Sequence, residues 1–122
     1  MEVKIDTKEK FHVIIPQDAI LSANMTEEFK EMLLPYLNKD IKNIIVKLEM
    51  VKEIDKSFAE EVLNLQQVFN DNNVSFVVCE LQKSVEQVFE KLGFLEILNA
   101  TPTESEAWDI VQMEEIEREF LE

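Results

Sequence analysis

Three short apolar runs set the rhythm of the chain: FHVII at Phe11–Ile15, NIIVKLEMV at Asn43–Val51 and VSFVVCEL at Val74–Leu81. Each is rich in Val, Ile and Phe and bounded by polar or turn residues, so each is predicted to be a strand. The second and third are almost continuously apolar, the pattern of strands covered on both faces. Shorter strands are predicted at Val3–Ile5 and Leu95–Leu98. Between these runs the period lengthens. Met25, Phe29, Met32, Leu33, Tyr36 and Leu37 recur at helical spacing, as do Phe58, Val62, Leu65, Val68 and Phe69, which predicts two amphipathic helices.

Two further helices carry their own boundary marks. Ser84 stands three residues before Gln87, a capping-box spacing, and Val85, Val88, Phe89 and Leu92 follow on one face. Gly93, the only glycine in the chain, is placed to end that helix. Thr103 stands in the same relation to Glu106, with Pro102 just outside, and Ala107, Trp108 and Val111 give this last helix a face to bury. Strands alternating with helices favour parallel pairing through right-handed crossovers. The fold class expected is therefore α/β, a single domain with a small mixed sheet, parallel central strands and four helices packed on it.

Composition narrows the function. A chain of 122 residues, 46% hydrophobic, builds one ordinary core, so residues 1–122 are read as one domain. Twenty-six acidic residues against 12 basic ones give a net charge of −14, which repels phosphate backbones and anionic lipid, so neither nucleic acid nor membrane is an expected partner. A single glycine builds neither a dinucleotide fingerprint nor a phosphate loop. His12 is the only histidine and lies on a strand, where alternation can point it outward, a poor start for a catalytic triad. Cys79 is the only cysteine and sits in an apolar run, which suits a buried inert thiol and excludes an internal disulfide. One His and one Cys are too few soft ligands for zinc. No cofactor and no enzyme activity are expected. The opening MEVKIDTKEK lacks the apolar core of a secretion signal and no run is long enough to cross a bilayer, which points to a cytoplasmic protein.

The stretch EIDKSFAEE, Glu53–Glu61, hands the second apolar run to a helix. Ser57 with Glu60 three residues on reads as a capping box. The segment from Asn43 to Leu98, with DAILSANMTEEFKEML before it, also resembles the STAS domain, the family of bacterial anti-sigma factor antagonists. That family opens a helix with an Asp-Ser-Ser-Gly-like motif and closes with Gly-Leu or Gly-Phe. Asp55 matches the motif aspartate, Lys56 replaces the first serine, Ser57 matches the second, and Phe58 replaces the glycine. Leu21 and Ser22 occupy the place of a Leu-Asp pair. The resemblance implies that Ser57 is the phosphoacceptor of a serine kinase that is also an anti-sigma factor, and that Asp55, Lys56, Ser57, Phe58 and Ser22 form the partner-binding surface. The unmodified domain would bind that kinase and free the sigma factor. The alternative is a phosphorylation-independent interaction module whose motif has degenerated. Phe58 itself has two readings, a core anchor for the helix or an exposed aromatic contact.

From Thr103 to Glu122 eight acids face one base, Arg118, so half of the net charge lies in this last stretch. Met113, Ile116, Phe120 and Leu121 keep a helical spacing, predicting an acidic helical extension at about 112–122 with one apolar stripe. The stripe either packs back on the domain or is offered to a partner or a second copy, forming a homodimer.

Overall fold

The computed structural model describes residues 1–121; Glu122, the last acid of the expected extension, lies outside the described residues. Strands β1 (Val3–Thr7) and β2 (Phe11–Pro16) form an antiparallel hairpin, and β4 (Asn43–Lys47), β6 (Phe76–Cys79) and β7 (Ala100–Thr101) extend it in parallel, in the order β1-β2-β4-β6-β7. A second, two-stranded parallel sheet pairs β3 (Ile20–Leu21) with β5 (Glu53–Ile54). Helices α1 (Thr26–Leu33), α2 (Lys56–Asp71) and α3 (Lys83–Lys91) cover one face of the main sheet, and among the described residues α4 (Glu104–Leu121) covers the other alone.

Alternation along the strands feeds both layers. Ile14, Ile44, Val46, Phe76 and Val78 face α2 and its neighbours, whereas Phe11, Val13, Ile45, Val77 and Cys79 meet Ala107 and Val111 of α4. The near-continuous apolar runs are thus two-sided strands, as expected.

Several boundaries differ from the expectation. The helix begun near Met25 stops at Leu33 and tightens into a 3-10 turn over Leu34–Asn38, because Pro35 has no N–H to continue an α-helical ladder. The strand expected over Asn43–Val51 ends at Lys47; Leu48 and Val51 stay buried but close a turn, the Val51 N–H donating to the Leu48 carbonyl at 3.1 Å. No strand forms at Leu95–Leu98. There the N–H groups of Ile97 and Leu98 both donate to the Phe94 carbonyl, which curls the backbone into turns, and the edge strand falls at Ala100–Thr101 instead. Gly93 does terminate α3. It adopts φ +74° while its N–H reaches Glu90 and the Phe94 N–H reaches Phe89, the paired bonds of a Schellman motif.

Of the two predicted caps outside the motif, one holds. The Glu106 N–H donates to Thr103 Oγ1 at 3.2 Å, and that hydroxyl donates to the Glu106 carboxylate at 3.0 Å. Ser84 instead lies one residue inside α3, whose N-cap position falls to Gln82 without a side-chain cap, and the Ser84 hydroxyl donates to the Lys52 carbonyl at 2.6 Å, tying α3 to the approach of β5. His12 points inward rather than outward and is 7% exposed. Its Nε2 donates to the Ile41 carbonyl at 3.0 Å and its Nδ1 bonds the Thr7 hydroxyl at 2.8 Å, so both ring nitrogens are engaged within the fold.

The last helix is docked further than expected. Trp108 packs edge-on against Phe11 with ring centroids 5.1 Å apart. Near its C-terminus, Arg118 donates to Ser75 Oγ at 3.0 Å and Glu115 accepts from Asn43 Nδ2 at 2.6 Å. The apolar stripe nevertheless stays in solvent: Phe120 and Leu121 are 86% and 87% exposed, and Met113 and Ile116 are more than half exposed, so it does not pack back on the domain.

Candidate functional site

The corner that opens α2 is assembled by the small sheet. The N–H groups of Lys52 and Glu53 both donate to the Ala19 carbonyl, at 2.7 and 3.1 Å, and the Asp55 N–H donates to Leu21 at 2.9 Å. In the parallel register Ile20 faces Glu53 and Leu21 faces Ile54, so one further step sets Ser22 level with Asp55. The two parts of the predicted surface, separated along the chain, therefore meet in one place.

At this corner Asp55, not Ser57, is the N-cap. Its backbone is extended at φ −79°, ψ 153°, its carboxylate accepts the Lys56 N–H at 2.8 Å, and its carbonyl accepts the Ala59 N–H at 3.0 Å. Helical geometry begins at Lys56, which leaves Ser57 in the second helical position, exposed and outside the cap, and the predicted box with Glu60 does not form. Replacing Asp55 by alanine should cost about 1 kcal/mol in urea unfolding, whereas Ser57→Ala should stay within about 0.5 kcal/mol of wild type. A serine cap would reverse that order.

Phe58 contributes from below rather than from the surface. It is fully buried, with its ring 4.9 Å from that of Phe29, on the same face of α2 as Val62, Leu65 and Phe69. Its place among contact residues is thereby corrected: the helical period carries it into the core. Lys56 is exposed beside Ser57. Ser22 is half-buried, its hydroxyl donating to Asn24 Oδ1 and its N–H directed at Met25 Sδ at 3.3 Å, which opens the 3-10 turn over Ala23–Met25. Two large apolar side chains at the same end of the molecule, Ile20 in β3 and Met50 in the turn before β5, are 53% and 46% exposed. Sequence reasoning passed over both; for Met50 the available signal was an apolar residue in the turn that follows Glu49.

Elsewhere the ionisable groups serve the fold. The Lys47 ammonium is held above its ordinary range chiefly by its hydrogen bond to Glu104, 3.1 Å away, with Glu49 at 3.5 Å as a second acid. Glu104 also accepts the Trp108 indole N–H, and Glu80 accepts the Glu104 N–H, so these acids brace the start of α4. Burial pushes the Cys79 thiol up to about 12, far from a nucleophile. The described residues hold no cluster of His, Cys, Asp and Glu suited to a metal, and no helix among them is long and apolar enough to cross a membrane. What the corner offers chemically is an exposed hydroxyl at the positive end of a helix.

A family model for the STAS domain matches residues 2–107, so most of α4 lies beyond it. No curated protein matches the chain in sequence. Among solved structures, a protein of Thermotoga maritima described as an anti-sigma factor antagonist superposes with TM-score 0.77 at 21% identity, covering 90% of this chain and 94% of that one. The RsbS protein of Moorella thermoacetica, in a variant form, gives TM-score 0.76 at 15% identity over 92% and 96% of the two chains. The anti-sigma factor antagonist SpoIIAA in its unphosphorylated form gives 0.72 at 18% identity over 91% and 96%, and the phosphorylated form of SpoIIAA, from Bacillus, gives 0.65 at 18% over 90% and 99%. Identities this low carry the fold alone.

Proposed function

Because the chain belongs to the STAS-domain family, with residues 2–107 matched, we propose that it is a non-enzymatic, protein-binding regulator of the anti-sigma factor antagonist kind, acting in the cytoplasm. Its partner in this reading is an anti-sigma factor that is also a serine kinase, and Ser57 is the phosphoacceptor. One observation carries the proposal: Asp55 caps α2, so the Ser57 hydroxyl stands exposed at the corner and is free for another use. Ser22 and Lys56 complete the surface that meets the partner, and Phe58 holds it up from the core.

The electrostatics of such a switch are favourable. Phosphate on Ser57 would add roughly −1.5 to −2 charge beside Asp55, Glu60 and Glu61, enough to repel a surface that accepts a neutral hydroxyl. The amide dipoles at the start of α2 attract the same phosphate, so the modification alters binding while the fold persists.

The test begins with phosphosite mapping on protein isolated from its own cells, followed by capture of the partner on wild-type protein. Ser57→Asp should weaken that binding by at least about tenfold, a change of roughly 1.4 kcal/mol, while Ser57→Ala retains it. Equal binding by both variants and no phosphate on Ser57 would leave the phosphorylation-independent module. Lys56 and Phe58, in place of the family's serine and glycine, favour that second reading.

A further inference from the structure

We infer that β1 is a homodimer interface, on which a second copy of this chain pairs antiparallel about Ile5 and joins two five-stranded sheets edge to edge. The hairpin register fixes which backbone groups are free to do so. The Lys8 N–H donates to Phe11 and the Gln17 N–H to Glu2, which sets the hydrogen-bonded positions of β1 at even numbers. The N–H and C=O groups of Val3, Ile5 and Thr7 therefore point away from β2, along a sheet edge that no other strand occupies among the described residues.

An antiparallel pairing centred on Ile5 uses all of them. Ile5 faces its own copy, and Val3 faces Thr7 of the other chain at both ends. The side chains then agree with the backbone. Lys4 falls opposite Asp6 of the second copy, and symmetry makes the pair twice, so the edge is complementary to itself in charge. Ile5, 49% exposed in the single chain, is covered by its twin. Asp6 already meets Lys8 of its own chain at 3.0 Å, so each Asp6 would lie between two lysines.

The exposed apolar stripe of α4 is a poorer seat for a second copy. Within Glu104–Leu121 seven acids face Arg118 alone, and that guanidinium is already directed at Ser75. Two such helices placed face to face repel, whereas two β1 edges attract.

Sedimentation equilibrium of the full chain at about 0.15 M salt, where the Debye length is about 8 Å, screens the −14 charge of each copy and reads the association directly. Wild type should dimerise, and amide exchange at Val3, Ile5 and Thr7 should slow as concentration rises. Lys4→Asp or Asp6→Lys alone should raise the dissociation constant by about tenfold, and the double variant should restore it, because like charges opposite one another destabilise a pair and the swap re-matches them. These residues are exposed and their exchange leaves the core untouched. Ile5→Pro removes an N–H that β2 does not use and should abolish association while the hairpin persists. A chain that stays monomeric at millimolar concentration, or a dimer that ignores these variants and falls apart on Phe120→Ser, would overturn the assignment.

Discussion

Phe58→Ala should destabilise the protein by about 3–5 kcal/mol in urea unfolding, with the slope of the transition unchanged. The ring is wholly buried, tilted against Phe29 at 4.9 Å, and stands where α2 begins, between α1 and the sheet. Deleting it removes its transfer free energy and leaves a cavity that Phe29, held on α1, cannot fill without moving the helix. Phe58→Gly, which installs the residue the family motif carries there, should cost about 1 kcal/mol more through the helix backbone. Phe58→Leu separates the two roles once assigned to this residue. It keeps most of the volume, so partner binding should survive it; a loss of binding at near-wild-type stability would place the ring in the interface after all.

Asn43→Ala should cost about 2–3 kcal/mol by calorimetry or chemical unfolding, although it deletes only a short polar side chain. Asn43 is 5% exposed and ties β4 to the residues just before β2 and β6 and to α4. Its Nδ2 donates to the Lys10 carbonyl at 3.0 Å and to Glu115 at 2.6 Å, and its Oδ1 accepts the buried Ser75 N–H at 2.9 Å, with Arg118 at 3.5 Å. Truncation strands the Ser75 amide in the interior and unties Glu115, and the price of an unpartnered buried group exceeds what one hydrogen bond contributes. The signature should be local: amide exchange should accelerate over the last turns of α4 before the strands respond.

How much of this could be read from the chain depended on the range of the signal. The two-sided strands β4 and β6 were legible because burial on both faces leaves a continuous apolar run. The helix faces of α2 and α3 were legible because a stripe repeats, and Gly93 was legible because a left-handed residue at a helix end is nearly always glycine. The pair β3 and β5 escaped notice, since two-residue strands hold no period. At the Ser57 corner the chemistry was right and the assignment shifted by two residues: Asp55 and Ser57 are both good caps, and the choice fell to the Leu21 carbonyl, which holds Asp55 in extended geometry. The expected Leu95–Leu98 strand had the right residue types, but Phe94 gathers two amides and bends the chain. Least legible was the Asn43, Ser75, Glu115 and Arg118 network, because polar residues so far apart in sequence announce themselves only once the strands are stacked. The candidate corner at Ser57 was picked out by motif, and the motif alone did not say that its phenylalanine lies underneath.

Cys79 lies against α4, packed with Val77, Ala107 and Val111. A lone thiol held that way is a clock. An alkylating reagent at neutral pH reaches it only when α4 lifts, so the rate of labelling counts those openings without any added probe. The clock should run faster in Asn43→Ala, which releases the far end of the helix, and keep wild-type time in Ser57→Asp, whose corner lies on the opposite layer.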